Sequence, residues 1–314
     1  MDSGPRPPGE DPMIELVSCA SVVLTPPEGP AVGEGATDPL SKPTQFLKER
    51  KSLKYMGLQD QLAVLVAGRA LEAANLLGQE LGDRCGLYLA VGYIPFEERD
   101  IAPVLSASMD ADVFSLEKFS KEGYTRAHPL LAFRCLPNMP AYHVAANFGI
   151  SGPYSVVYPG GGQLYQALEQ AIDDLQQERV DRALVGGVAH QRNFLVEHHM
   201  RRQLPSVEPH KLRDAASMLL LRRGTGANGC RLIETSVGYT PFDPLVEVPA
   251  AADDLSLGED FRAVWGSTES ALEVGPASLG IALTQLLARG GGQLTHRAST
   301  REGIQASSRW EFAQ

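Results

Sequence analysis

The sequence predicts an α/β fold built on a largely buried sheet, and three observations support it. Short apolar runs that read as strands alternate with segments of helical periodicity along the whole chain. Gly86–Gly92 (GLYLAVG) is apolar at consecutive positions, the pattern of a strand covered on both faces. Residues 55–77 place Met56, Leu62, Leu65, Val66, Ala70 and Ala73 on one stripe, which predicts a long amphipathic helix.

Taken in order, residues 1–12 are rich in Pro and Gly and predict a disordered N-terminus with no signal-peptide core. Ile14–Leu24 reads as the first strand, and Pro27–Lys42 as a loop. The 55–77 helix and the Gly86–Gly92 strand follow, and 99–130 has mixed character. Residues 138–148 predict a helix with Asn138 as its cap and Pro140 in its first turn. Tyr154–Tyr158 is a strand, Pro159–Gly162 a glycine turn, Leu164–Gln177 a helix and Arg182–Val188 a strand. Leu212–Arg223 and Cys230–Tyr239 read as two neighbouring strands, with a short one at Val264–Thr268. Pro276–Arg289 is a helix opened by proline and closed by Gly290–Gly292, followed by strands at 293–298 and 306–313.

Composition excludes several classes. Of 314 residues, 43% are hydrophobic and 21% charged, ample for a large core. A net charge of −10 without a basic stripe argues against nucleic acid and anionic membranes as partners. The apolar run Leu62–Ala67 is far short of the roughly 18 residues that a membrane span needs. Cys19, Cys85, Cys135 and Cys230 are scattered, without metal-ligand spacing or a disulfide framework, which fits a cytoplasmic protein.

The most informative stretch is Ser151–Gln177, a strand that enters a glycine turn and then a helix N-terminus. Such turns expose backbone N–H groups and favour negative charge. Phosphate chemistry lacks its signature, because no Lys follows Gly162 and the dinucleotide fingerprint fails at Tyr165. A nucleophile elbow needs Ser or Cys at its apex, and Pro159-Gly160-Gly161-Gly162 supplies neither. On residue chemistry alone, the turn simply lets strand and helix approach closely.

Around this turn the chain resembles the ketosynthase (thiolase-fold) family. Leu136-Pro-Asn-Met139, Phe148-Gly149 and Gly152-Pro153 match the run leading to the family's nucleophile strand, and Arg182–Ala189 (RALVGGVA) matches its double-glycine strand. Lys54-Tyr-Met56 through Ala73 matches the N-terminal helix, Ala215–Leu221 a small-residue strand entry, and Ser267-Thr-Glu-Ser270 the S-x-K-S run. The resemblance implies a layered αβαβα fold over 13–314, with halves at about 13–158 and 159–314, truncated relative to active ketosynthases. It also implies a site that should hold a Cys nucleophile, two His and a Lys. Gly160 falls on the Cys, Glu269 on the Lys and Val274 on the second His. The H-G-T-x-T segment of the first His has no counterpart between Tyr239 and the Val264–Thr268 region, where the chain is short. Glycine offers no sulfur to hold an acyl chain, and glutamate inverts the charge of lysine.

The family includes non-catalytic partners, the chain-length factors, that pair with an active ketosynthase and help wall its acyl tunnel. By resemblance, the chain is expected to be such a subunit in type II polyketide or polyene biosynthesis. An active ketosynthase would be its heterodimer partner, and an acyl carrier protein would be reached through the complex. Leu130, Leu131, Phe133, Leu136, Met139, Tyr158 and Gln163 are candidates for the tunnel or dimer interface, weighed evenly against ordinary core packing for the apolar run 130–139. No cofactor and no metal are expected. The alternative is a decarboxylase or other acyl-thioester enzyme with relocated residues, for which His143 and Gln163 are the candidates. Against further sites, His190, His198, His199 and His210 read as surface histidines, His143 as structural and Cys135 as a buried thiol.

Overall fold

The computed structural model describes residues 13–24, 43–94, 97–159, 162–203, 212–224, 229–239, 273–299 and 304–313. The expected disorder at 1–12, the loop at 27–42, the strand at Val264–Thr268, and Gly160, His210 and Glu269 lie outside them.

The first strand, β1 (Met13–Val23), precedes a 3-10 helix, Arg50–Tyr55, and helix α1 (Leu58–Ala73). This helix is shorter than the predicted 55–77 span. Its head is set by the Gly57 amide, which donates to Asp60 Oδ2 at 2.7 Å, and it ends before Asn75, whose φ is 57°. The expected stripe also needs correcting. Ala73 is exposed, whereas nearly every residue from Gln59 to Leu71 is buried. One wet face was assumed, yet α1 is covered on both sides, by sheet and by helix.

Strand β2 (Cys85–Val91) is buried at all positions. Residues 98–135 hold short elements: α2 (Glu98–Ser108), β3 (Met109–Asp110), β4 (Val113–Phe114), α3 (Leu116–Lys118) and α4 (Leu131–Cys135). Helix α5 (Met139–Phe148) follows, with Pro140 in its first turn as expected. Asn138 occupies the cap position but makes no side-chain capping bond, because its backbone is already helical. Then come β5 (Tyr154–Val157), α6 (Gln163–Gln176), β6 (Arg182–Ala189), α7 (Phe194–Gln203), β7 (Ala215–Gly224) and β8 (Gly229–Tyr239). A 3-10 turn, Gly275–Ala277, leads into α8 (Ser278–Arg289), and β9 (Gln293–Ser299) and β10 (Ile304–Ala313) follow.

The strands run β5-β2-β6-β7-β1-β8-β10-β9. The first three are parallel, and every other pair is antiparallel. Two strand expectations change. β7 starts at Ala215 rather than Leu212, because Leu212 bridges to Glu273 instead. β8 is not beside β7. β1 takes that edge along its length, from Met13↔Gly224 to Val23↔Ala215, and meets β8 only at Ile14–Leu16.

A repeat emerges that no sequence trace reveals. β1 pairs with β7 and β7 with β6, with α6 leading into β6; β8 pairs with β10 and β10 with β9, with α8 leading into β9. On the far side of β6 lie β2 and β5, whereas no further strand flanks β9 among the described residues. Helices α1 and α5 cover one face of the first five strands. α6 and α8 fill the other face, beneath residues of β8, β9 and β10, so the layered expectation holds.

Candidate functional site

The parallel strands β5, β2 and β6 deliver their C-terminal ends to one edge of the molecule, where α/β folds place their sites. There the turn between β5 and α6 is held from both flanks. Tyr158 Oη accepts from the Ile94 amide at 3.1 Å, and Gln163 Nε2 donates to the Val91 carbonyl at 3.0 Å. Gly162 heads α6 in the left-handed region, at φ 69°. The Gln163 amide is therefore committed to β2. The described flanks of this turn offer a phenol and an amide, and no thiol or imidazole.

The second turn, at Glu273–Ala277, approaches the same strand ends. A β-carbon on Gly187 would lie 2.0 Å from the Pro276 carbonyl oxygen, so the turn rests directly on the β6 backbone. Val274 is 5% exposed and packs with Ala215, Ala277 and Ile281 in a small core. An isopropyl group held there can neither donate a hydrogen bond nor take up a proton. Glu273 Oε1 accepts from the Gly275 amide at 3.2 Å and lies 3.5 Å from Gln191 Nε2. The residue is half-buried, but its carboxyl end is enclosed, and desolvation pushes the carboxyl up. Beside it, Asp214 is fully buried and paired with Arg192 at 3.0 Å.

The apolar candidates divide. Met139 is buried, Leu130 and Leu131 are half-buried, and Phe133 and Leu136 are about half exposed, at 48% and 47%. The Phe133 and Tyr55 rings meet edge to face, 6.2 Å apart. Leu136 and Tyr158 join Gln59, Asp60, Val91 and Cys135 around a cavity of about 10 Å³, room for one water and not for an acyl chain. Leu136, Tyr158 and Gln163 therefore converge on Val91 and its cavity, while Met139 stays in the core.

Sequence reasoning missed Gln59 and Asp60. Gln59 donates to the Tyr93 carbonyl at 2.8 Å, and its buried Oε1 has no hydrogen-bond partner. Asp60 is 1% exposed, and burial pushes its carboxyl up to about 8. The available signal was the polar run Gln59-Asp60-Gln61 in the first turn, directly ahead of the apolar stretch Leu62–Ala67.

Of the remaining candidates, His198 is exposed, as the sequence reading expects, whereas the His190 side chain is only 13% exposed and its Nε2 lies 3.9 Å from Asp214 Oδ1, so the surface reading fails there. No cluster of His, Cys, Asp and Glu among the described residues fits a metal. His199 packs on Tyr93, with ring centroids 4.8 Å apart. His143 is buried, which lowers its imidazole, and its Nε2 has no partner. Burial pushes the Cys19, Cys85 and Cys230 thiols up to about 12, far from a reactive thiolate, and Cys135 is buried as well. No helix among the described residues is long and apolar enough to cross a membrane.

Two surface features flank the site. β5 is the edge strand of the sheet; Tyr154 on it is 72% exposed, and Tyr142 on α5 is 59% exposed. Lys48, Arg50, Lys51 and Lys54 lie exposed on and beside the 3-10 helix Arg50–Tyr55, with Lys54 Nζ 4.5 Å above the Tyr55 ring.

The chain matches the family model for the beta-ketoacyl synthase N-terminal domain over residues 33–216. Among solved structures it is similar to a type II polyketide synthase acyl-carrier protein in complex with its ketosynthase, at TM-score 0.66 and 11% identity, covering 97% of this chain and 100% of that chain. It is similar to the ishigamide ketosynthase/chain length factor, at TM-score 0.65 and 15% identity, covering 97% and 100%. It is also similar to the ketosynthase from module 1 of the bacillaene synthase of Bacillus amyloliquefaciens FZB42, at TM-score 0.60 and 12% identity, covering 97% of this chain and 76% of that one. At such identities the likeness is one of fold, and the fold is thiolase-like. No curated protein matches the chain.

Proposed function

The chain belongs to the beta-ketoacyl synthase family, and we propose that within it the protein is a non-catalytic subunit of the chain-length-factor kind, paired with an active ketosynthase. The observation that carries this reading is Val274. By the sequence resemblance Val274 takes the place of the family's second histidine, and its apolar side chain is packed into the core. Glycine at 160 in the sequence deprives the other turn of its thiol. A chain without sulfur or imidazole at these positions cannot hold an acyl group by the family's chemistry.

The edge strand β5 supports a heterodimer. Its outer row of backbone groups has no partner strand among the described residues, and Tyr154 stands exposed on it. Unpaired strand edges recruit other strands, and exposed aromatic side chains anchor interfaces. Leu136, exposed at the Val91 cavity, and Phe133, exposed against the Tyr55 ring, are the proposed contributors to the partner's acyl tunnel. The basic segment at Lys48–Lys54 stands out on a chain of net charge −10 and suits an acidic acyl carrier protein reached through the complex. The alternative, an acyl-thioester enzyme with relocated residues, has less support. The Gln163 amide is engaged by Val91, and the His143 imidazole is buried.

Co-expression with an active type II ketosynthase, followed by native mass spectrometry, tests the proposal. A one-to-one heterodimer is expected, and the isolated chain should take up no acyl group from an acyl-thioester probe. Covalent loading of the isolated chain at a defined residue would overturn it.

A further inference from the structure

The two central helices are joined through one buried imidazole. Tyr165, in the first turn of α6, places its hydroxyl 2.7 Å from His296 Nδ1 on β9, 3.1 Å from the His296 carbonyl and 3.0 Å from Ser308 Oγ on β10. On the other side of the ring, His296 Nε2 lies 3.1 Å from the hydroxyl of Ser278, the first residue of α8. Trp310 Nε1 donates to Ser308 Oγ at 3.0 Å and completes the chain. Tyr165, His296, Ser308 and Trp310 are each 2% exposed or less. The Tyr165 and His296 rings stack at 5.8 Å.

A hydroxyl–imidazole–hydroxyl order invites comparison with a nucleophile and its base. Two facts argue otherwise. Ser278 is nine-tenths enclosed, which denies a substrate access. Among the described residues, the hydrogen-bond partners of the His296 ring are Tyr165 from α6 and Ser278 from α8, and neither is a carboxylate that would stabilise an imidazolium. What the arrangement can do is hold four elements together, α6, α8, β9 and β10. Tyr165 lies two residues beyond Gln163, which braces the first turn, and Ser278 lies directly after the Gly275–Ala277 turn.

We propose that Ser278, His296, Tyr165 and Ser308 form a clamp that fixes the heads of α6 and α8 against the β9–β10 hairpin, and that uptake of a proton by the imidazole opens it. Burial without a counter-charge lowers the imidazole to about 4 from its ordinary 6.5. The sign follows from linkage. The clamp is at full strength above pH 6.5, weakens as pH falls, and is lost by about pH 4.

Trp310 supplies the reporter. The sequence has two tryptophans, so Trp265→Phe leaves Trp310 as the single tryptophan, excited selectively at the red edge of the indole band. In that background its emission is expected to shift to longer wavelength between pH 7 and 4.5. Amide hydrogen exchange at the heads of α6 and α8, corrected for intrinsic rate, should rise at least tenfold over the same range. With His296→Gln added, both changes should shrink to a third or less. Equal responses in the two proteins would overturn the proposal. Should His296→Gln fail to fold, ¹⁵N-histidine NMR of the unsubstituted chain decides: a neutral His296 ring at pH 6 supports the clamp, and a midpoint near 6.5 refutes it.

Discussion

Gly187 and Pro276 are in backbone contact. A β-carbon at 187 would sit 2.0 Å from the Pro276 carbonyl oxygen and 2.3 Å from its carbon, a separation that only glycine permits. The second glycine of the Arg182–Ala189 strand therefore lets the Glu273–Ala277 turn seat on β6, which brings the two halves of the site together. Gly187→Ala should push the turn off the strand. Destabilisation of about 1–3 kcal/mol is expected in urea unfolding, as for other overpacked interiors. A change below about 0.5 kcal/mol would mean that the contact is slack.

Tyr88 donates to Asp174 Oδ2 at 2.5 Å, tying β2 to the far end of α6, and Arg179 adds a 2.7 Å ion pair from the other side. Asp174 is 2% exposed. Tyr88→Phe keeps the ring but leaves a buried carboxylate one donor short, at a cost of about 1–3 kcal/mol in the same assay. Asp174→Ala, which removes the Arg179 ion pair and leaves the buried phenol without its acceptor, should cost more.

Asp60 gives a pH signature of its own. Its folded carboxyl titrates near 8 against an ordinary 3.8, so the folded chain holds a proton that the unfolded chain releases. Stability from this group is full below pH 3.8 and declines as pH rises toward 8. Asp60→Asn should remove the decline, and its advantage over the natural protein should grow with pH to on the order of a few kcal/mol. Parallel stability curves for the two proteins from pH 5 to 8 would contradict the enclosed, neutral carboxyl.

The proposed heterodimer places a strand partner on β5. Tyr154→Asp alters a side chain that is 72% exposed, so the isolated chain should unfold within about 0.5 kcal/mol of the natural one. Association with the active ketosynthase should weaken at least tenfold, about 1.4 kcal/mol, because charge on an edge strand opposes pairing. Unchanged affinity in sedimentation or interferometry would move the interface elsewhere.

Reversing Lys51 and Lys54 to Glu probes the basic segment. Binding of an acidic carrier protein to the assembled complex should weaken about tenfold at low salt, and the difference should shrink above roughly 0.5 M salt. A salt-independent effect would point to altered folding of the 3-10 helix rather than lost charge.

Much of this was legible in the chain. Local patterns located β2, β5, α6 and β6 to within a residue or two, since glycine turns and apolar runs act over short distances. The sequence also determined that position 160 has no thiol and position 274 no imidazole, a matter of residue identity. Pairing and enclosure were decided only in three dimensions. β1 inserts between β7 and β8, Ala73 leaves the buried stripe, Asp60 becomes enclosed, and Tyr165 meets His296 across 131 residues. These outcomes depend on which distant surfaces compete for the same strand edge or the same apolar volume. That competition is a free-energy comparison among whole-chain arrangements, and no window of neighbouring residues contains it.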